Sequence, residues 1–330
     1  MKGWIDFSRN ETLVALVIVA FCAIATVSDP AFLSMPTLTD LLRGGIVLGI
    51  FAVAALLVLI SGGIDVSFTA VAAFTMYTTA MMLNTLAPGV PWWGAFLVGM
   101  TVGGLLGAIN GIFIAGFGLP TLIVTLGTLS IFRGFMLTFI GQKQITTLPS
   151  GMRDFGRMMM IRGTNPDGSF YSLPWAFAAL VIVVVITWMI LHRTMLGREI
   201  FAIGGSVESA RRIGVNVRRT QFFVYVYVGM LAGIAGIIHA SMARVANPFD
   251  LVGLELSVIA AVVLGGARLA GGYGTLTGTL LGVALIVLVR NSLVVLGIPS
   301  TWQSVAIGIL ILVGTGLPAW QAKRAAARAA

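Results

Sequence analysis

The chain has 330 residues, 58% hydrophobic and 9% charged, with 41 glycines and a formal net charge of +9. Soluble domains carry roughly 25% charged residues, so a mean hydropathy of +1.03 excludes an ordinary globular enzyme and indicates a polytopic membrane protein. The surplus of 20 basic over 11 acidic residues lies between apolar runs, which is how membrane helices are oriented and not how nucleic acid is bound.

In chain order, runs of roughly 17 to 25 apolar residues predict ten spans, near 12 to 28, 39 to 61, 66 to 86, 94 to 115, 121 to 141, 174 to 192, 221 to 242, 254 to 267, 275 to 298 and 300 to 318. The first follows Lys2 and contains Ala23-Ile24-Ala25, as a cleaved signal peptide would, but is expected to be retained. Cys22 lies within it as the single cysteine, which leaves no disulfide framework and no cysteine metal site. The stretch 193–220 carries Arg193, Arg198, Arg211, Arg212, Arg218 and Arg219 against Glu199 and Glu208, so it is expected to be a cytoplasmic loop. The tail with Lys323, Arg324 and Arg328, and the N-terminal Lys2 and Arg9, then fall on the same side. The stretch 142–173 becomes an external loop, although it holds Lys143, Arg153, Arg157 and Arg162. The expected fold is all-α: one transmembrane permease domain over 1–330, with about ten helices, both termini cytoplasmic, and glycine-broken helices near a pathway.

The break at Ser61-Gly62-Gly63-Ile64-Asp65-Val66-Ser67 singles itself out, because Asp65 is the only acid between Asp40 and Asp154. A carboxylate at membrane depth is costly and marks a functional site. Glycines beside it let the backbone unwind where it lines protein or a cavity. Asp65 is expected to contact solute, or to accept hydrogen bonds from backbone freed at Gly62 and Gly63. A second glycine-rich interruption runs from Gly265 to Gly274, and paired interruptions in the two halves point to a transporter's central path. Many of the other glycines serve close helix packing.

Asn110 and Asn291 lie inside spans, where an amide either bonds a neighbouring helix or meets an uncharged polar solute. Trp302 and Gln303 offer a stacking face and an amide, or an interfacial anchor. In the cytoplasmic loop, Ser206 suits an N-cap, Glu208 the positive end of a helix, Arg211 and Arg212 its negative end, and Gly214 its stop. Val207, Ala210 and Ile213 recur as a short apolar stripe, so this helix of about two turns is expected to lie on the membrane or dock into a partner. No G-x-x-x-x-G-K-[ST], H-E-x-x-H or G-x-S-x-G motif occurs. An enzyme is not expected, and energy must come from an ion gradient or another subunit.

Ser61-Gly62-Gly63-Ile64-Asp65-Val66-Ser67, Thr125-Leu126-Gly127-Thr128-Leu129 with Arg133-Gly134, and Gly197-Arg198 with Ala202-Ile203-Gly204-Gly205 together match one family. So do Ala210-Arg211, Gly214-Val215-Asn216-Val217, Asn247-Pro248, Gly253-Leu254-Glu255-Leu256 and Ile259 to Gly266 with Gly271, Gly272 and Gly274. Over nearly its full length the chain resembles the permease subunits of ribose-type ATP-binding cassette (ABC) importers, a branch of the family that also holds branched-chain amino-acid permeases. The resemblance implies a multi-pass permease of the bacterial inner membrane that moves a monosaccharide or related polyol by alternating access. It implies a second permease copy, identical or similar, cytoplasmic ATPases that bind ATP and Mg, and a periplasmic sugar-binding protein. It also makes Ser206 to Gly214 the coupling helix. Ser67-Phe68-Thr69 departs from the family's usual Ser-Val-Gly. The alternatives are a branched-chain amino-acid permease, an ion-coupled secondary transporter using Asp65 as its proton or sodium site, and a non-transporting subunit.

Overall fold

The computed structural model describes residues 10–28, 30–165 and 168–295, together with Trp302, Val305, Gly308, Ile309 and Leu312. The helices are α1 (Asn10–Ser28), α2 (Met35–Ile60), α3 (Phe68–Leu86), α4 (Trp92–Gly111), α5 (Thr121–Phe135), α6 (Ser150–Arg157), α7 (Ala176–Arg193), α8 (Met195–Gly205), α9 (Val207–Arg212), α10 (Val217–Ala243), α11 (Glu255–Leu264) and α12 (Leu276–Val295). Helix therefore stands at each of the first nine expected spans, and the tenth, 300 to 318, lies largely outside the described residues. Five helical segments are long and apolar enough to cross a membrane: α2, Trp92–Gly116, Thr121–Ile140, α7 and α10. Shorter apolar helices run over Glu11–Val27, Glu255–Leu264 and Leu276–Ser292.

Burial sorts these helices. The most apolar window of α2 is 83% buried, against 22% for Thr121–Ile140 and 28% for α7, so α2 is the central post and the other two present most of their surface outward. Its sequence explains this, since Ile46 to Ile60 carries no polar side chain on any face, and such a helix has no side suited to water. Ser34 opens it as N-cap, its side chain accepting from the Thr37 amide, with proline in the first turn.

Helices α4 and α10 pack backbone to backbone, and glycine makes it possible. A Cβ at Gly103 would lie 2.2 Å from the Gly229 carbonyl oxygen, one at Gly107 2.3 Å from that of Tyr225, and one at Gly233 2.3 Å from that of Gly99. Glycines four apart on both helices thus form a seam of backbone against backbone, the usual device for helix association where lipid offers no hydrophobic drive.

One end of the bundle is capped by structure that the sequence reading left as the loop 142–173. There α6 lies across the end of α10, and a two-stranded antiparallel hairpin follows, β1 (Met159–Thr164) with β2 (Phe170–Pro174), pairing Ile161 with Leu173 and Gly163 with Tyr171. The fold is helical with this one exception. The opposite end carries α8 and α9, and the expected loop 193–220 is therefore mostly helix, with α8 capped by the Thr194 side chain accepting from the Gly197 amide.

Candidate functional site

Both glycine interruptions are helix stops with the same geometry. At the end of α2, Gly62 takes φ +83°, its amide donates to the Leu59 carbonyl at 2.9 Å, and the Gly63 amide donates to Val58 at 3.0 Å. At the end of α11, Gly266 takes φ +95°, its amide donates to Val263 at 2.9 Å, and the Ala267 amide donates to Val262 at 3.2 Å. This is the Schellman arrangement, in which a left-handed glycine turns the last amides back onto helix carbonyls. The freed amides of Gly62 and Gly63 are therefore satisfied by α2 itself, and the expectation that Asp65 accepts them is corrected.

Asp65 instead organises the start of α3. It is buried, and its Oδ1 accepts from the Ser67 amide and the Ser67 hydroxyl, both at 2.7 Å. The Ser67 oxygen in turn accepts from Asn110 Nδ2 at 2.8 Å. Since α4 is pinned to α10 by the glycine seam, Asn110 is presented to Ser67 from a fixed helix. The segment is held from another side by α5, where the Thr121 hydroxyl accepts from the Ile64 amide at 3.0 Å. Among the described residues the ion pairs are Arg212 with Glu208 and His239 with Asp250, so Asp65 has no cation beside it. Asn110 Oδ1 has no hydrogen-bond partner among the described residues, and a Cβ on Gly63 would come within 2.9 Å of the buried Tyr225 hydroxyl. The result is a buried carboxylate beside an amide with capacity to spare, the chemistry suited to hydroxylated solutes or water.

The departure at Phe68-Thr69 has a structural outcome. Phe68 is fully buried, its ring 5.2 Å from that of Phe51 on α2. Thr69 is also buried and donates its hydroxyl to Glu255 Oε1 at the start of α11. Glu255 further accepts from the Gly253 amide through both oxygens, at 3.1 and 2.9 Å.

The two interruptions meet. The Gly272 amide donates to the Ile60 carbonyl at 2.9 Å, and Gly204 of α8 lies against this bond, where a Cβ would fall 1.7 Å from the Ile60 oxygen and 2.5 Å from the Gly272 nitrogen. A Cβ on Gly271 would lie 2.7 Å from Gly62 Cα. Three chain segments thus touch through bare backbone. Two residues beyond Gly204, Ser206 caps α9, its hydroxyl accepting from the Ser209 amide at 3.2 Å. Glu208 and Arg212 form an exposed pair at 2.8 Å, and Gly214, at φ +88°, ends the helix. Ala210 packs inward with Ile203 and Val217, whereas Val207 and Ile213 are exposed. The expected stripe is therefore split, with Ala210 anchoring α9 and the other two free for a partner. Arg211 is exposed and outside any ion pair.

Of the residues expected at the pathway, Ser61, Gly62, Gly63, Asp65, Ser67 and Asn110 are brought together. Asn291 lies half-buried on α12, about 22 Å of helix beyond Leu276, and shares no hydrogen bond with them. Trp302 is exposed, and Gln303 lies outside the described residues. Sequence reasoning missed Thr69, Thr121, Tyr225 and the function of Gly204. Only the last left a signal, a glycine pair placed directly before an N-cap. Among the described residues no group of three His, Cys, Asp or Glu could hold a metal ion.

Residues 37–314 match the family described as branched-chain amino acid transport system / permease component. The chain is 36% identical over 292 residues to the ribose import permease protein RbsC of Bacillus subtilis (strain 168), covering 88% of this chain and 87% of that one. It is 34% identical over 305 residues to the autoinducer 2 import system permease protein LsrC of Enterobacter sp. (strain 638), covering 92% and 85%. A Klebsiella pneumoniae LsrC is 33% identical over 305 residues, with the same coverage of 92% and 85%.

Proposed function

Because the chain belongs to the branched-chain amino acid transport system / permease component family, we propose that it is the membrane subunit of an ABC importer for a monosaccharide or related polyol. The relatives named for ribose and autoinducer 2 import support a sugar-type solute over an amino acid. The setting is the bacterial inner membrane, with α8, α9 and both termini cytoplasmic and the β-hairpin outside. Partners are a binding protein that delivers solute to the hairpin face, cytoplasmic ATPases that hold ATP and Mg, and a second permease copy.

The observation that carries the mechanism is the backbone junction of Gly62, Gly204 and Gly271. In this reading α9 is the coupling helix, seated on the ATPase through Val207, Ile213 and Arg211. A shift of α9 moves Gly204, and Gly204 cannot move without displacing Ile60 and Gly272, against which it has no side-chain cushion. The ends of α2 and α11 therefore follow, and with them Asp65, Ser67 and Thr69. The ATPase drives this only by binding the outward and inward states with different affinity. Reconstituted with its partners in proteoliposomes, the complex should accumulate labelled ribose in a vanadate-sensitive, uncoupler-insensitive manner. Uptake abolished by uncoupler and indifferent to vanadate would instead assign Asp65 to ion coupling.

A further inference from the structure

At the hairpin end of the bundle a cleft of about 470 Å³ opens between α2, α10 and α12, lined by Asp40, Arg43, Val47, His239, Leu254 and Arg290. Its size falls within the roughly 300–1,000 Å³ of small-molecule sites. Arg43 is the ninth residue of α2, about 12 Å along a helix that spans about 39 Å. Even with all of its excess over a hydrocarbon core of about 30 Å protruding at this end, Arg43 lies below the boundary. The remaining depth, about 3 Å, is within reach of an arginine stem, so the exposed Arg43 guanidinium sits at the outer interface, where solute arrives.

Among the described residues neither arginine forms an ion pair. Asp40 sits one turn from Arg43 but forms no ion pair with it, and the pair present at the cleft is His239 Nε2 with Asp250 Oδ2 at 3.3 Å. The lining thus offers two donor-only guanidinia, one acceptor-only carboxylate and the His239 ring. A sugar hydroxyl both donates and accepts, so it can bond either kind of group. Leu254 of the lining directly precedes Glu255, which receives the Thr69 hydroxyl.

We propose that this cleft is the entry site where a neutral monosaccharide first lodges in the permease, with Asp40, Arg43 and Arg290 bonding its hydroxyls. The proposal rests on the monosaccharide reading above and assigns its outward-facing site. Initial rates of labelled ribose uptake are to be measured in proteoliposomes holding the permease, its ATPase and ribose-loaded binding protein. Arg43→Gln, Arg290→Gln and Asp40→Asn should each raise KM about tenfold or more, the effect of losing a charged hydrogen bond, with complex yield and basal ATP hydrolysis unchanged. In a Cys22→Ser background, Val47→Cys should react with a membrane-impermeant maleimide several-fold more slowly under ribose-loaded than under sugar-free binding protein. Unchanged KM in all three variants, or no protection of Val47→Cys, overturns the entry site and leaves the sugar permease standing. A wild-type complex that accumulates neither ribose nor any other neutral pentose or hexose overturns both.

Discussion

Asp65 touches Ser67 twice and nothing cationic, so its charge is supported by two donors that an amide oxygen at the same place would still engage, though less strongly. Asp65→Asn should therefore leave the complex assembled but reduce sugar uptake sharply, with about 1–3 kcal/mol lost from hydrogen bonding to a charged group. Unchanged uptake would remove Asp65 from the mechanism. Thr69 is the complementary case. Thr69→Val keeps the shape and removes the donor to Glu255, which retains the Gly253 amide. Thermal unfolding in detergent should show a loss of about 1–3 kcal/mol, and an unshifted transition would mean that the bond is idle. Asp65 was legible in the sequence because a lone acid in an apolar stretch has few explanations. Thr69 and Glu255 were not, because a threonine suits any membrane helix and its partner lies 186 positions away.

The helices themselves were legible from apolar runs, and α9 from its cap, charges and terminal glycine, since these are local signals. What failed was everything held by contacts across the fold. The hairpin Met159–Pro174 was missed because Met158-Met159-Met160-Ile161 lacks the polar alternation of a half-buried strand. Gly265 to Gly274 read as a broken helix, yet its first part is a helix stop and its second part a wedge against Gly62 and Gly204. From that wedge a prediction follows at the level of α8. Gly204→Ala must push the Ile60 carbonyl and the Gly272 amide apart, so ATP hydrolysis by the assembled complex should continue while uptake per ATP falls several-fold. Full coupling would show that the junction is passive. On α9, Arg211→Glu leaves the Glu208–Arg212 pair in place and should weaken recovery of the ATPase on co-purification; undiminished recovery would exclude α9 from the docking surface.

Across the whole molecule, stiffness is unevenly distributed. The Gly99, Gly103 and Gly107 face of α4 meets Tyr225, Gly229 and Gly233 of α10 with no side chain between, so neither helix can slide or roll without backbone collision. Together they form one slab, and Asn110 and Tyr225 ride on it as a fixed reference for the Asp65 segment. At the end of α4 the slab gives way to a π-helical turn, Ile112–Gly116, and a second such turn, Met136–Ile140, ends α5. Wide turns of this kind are rare and occur frequently at functional sites. Amide exchange in the intact complex should accordingly be slowest along Gly99–Gly107 and Tyr225–Gly233 and fast at both π-turns, and the reverse order would dismantle the slab. The consequence for transport is one of reference frames: Asn110 and Tyr225 stand on the slab, so a displacement of the Asp65 segment is expected to show as a change in its distance from them.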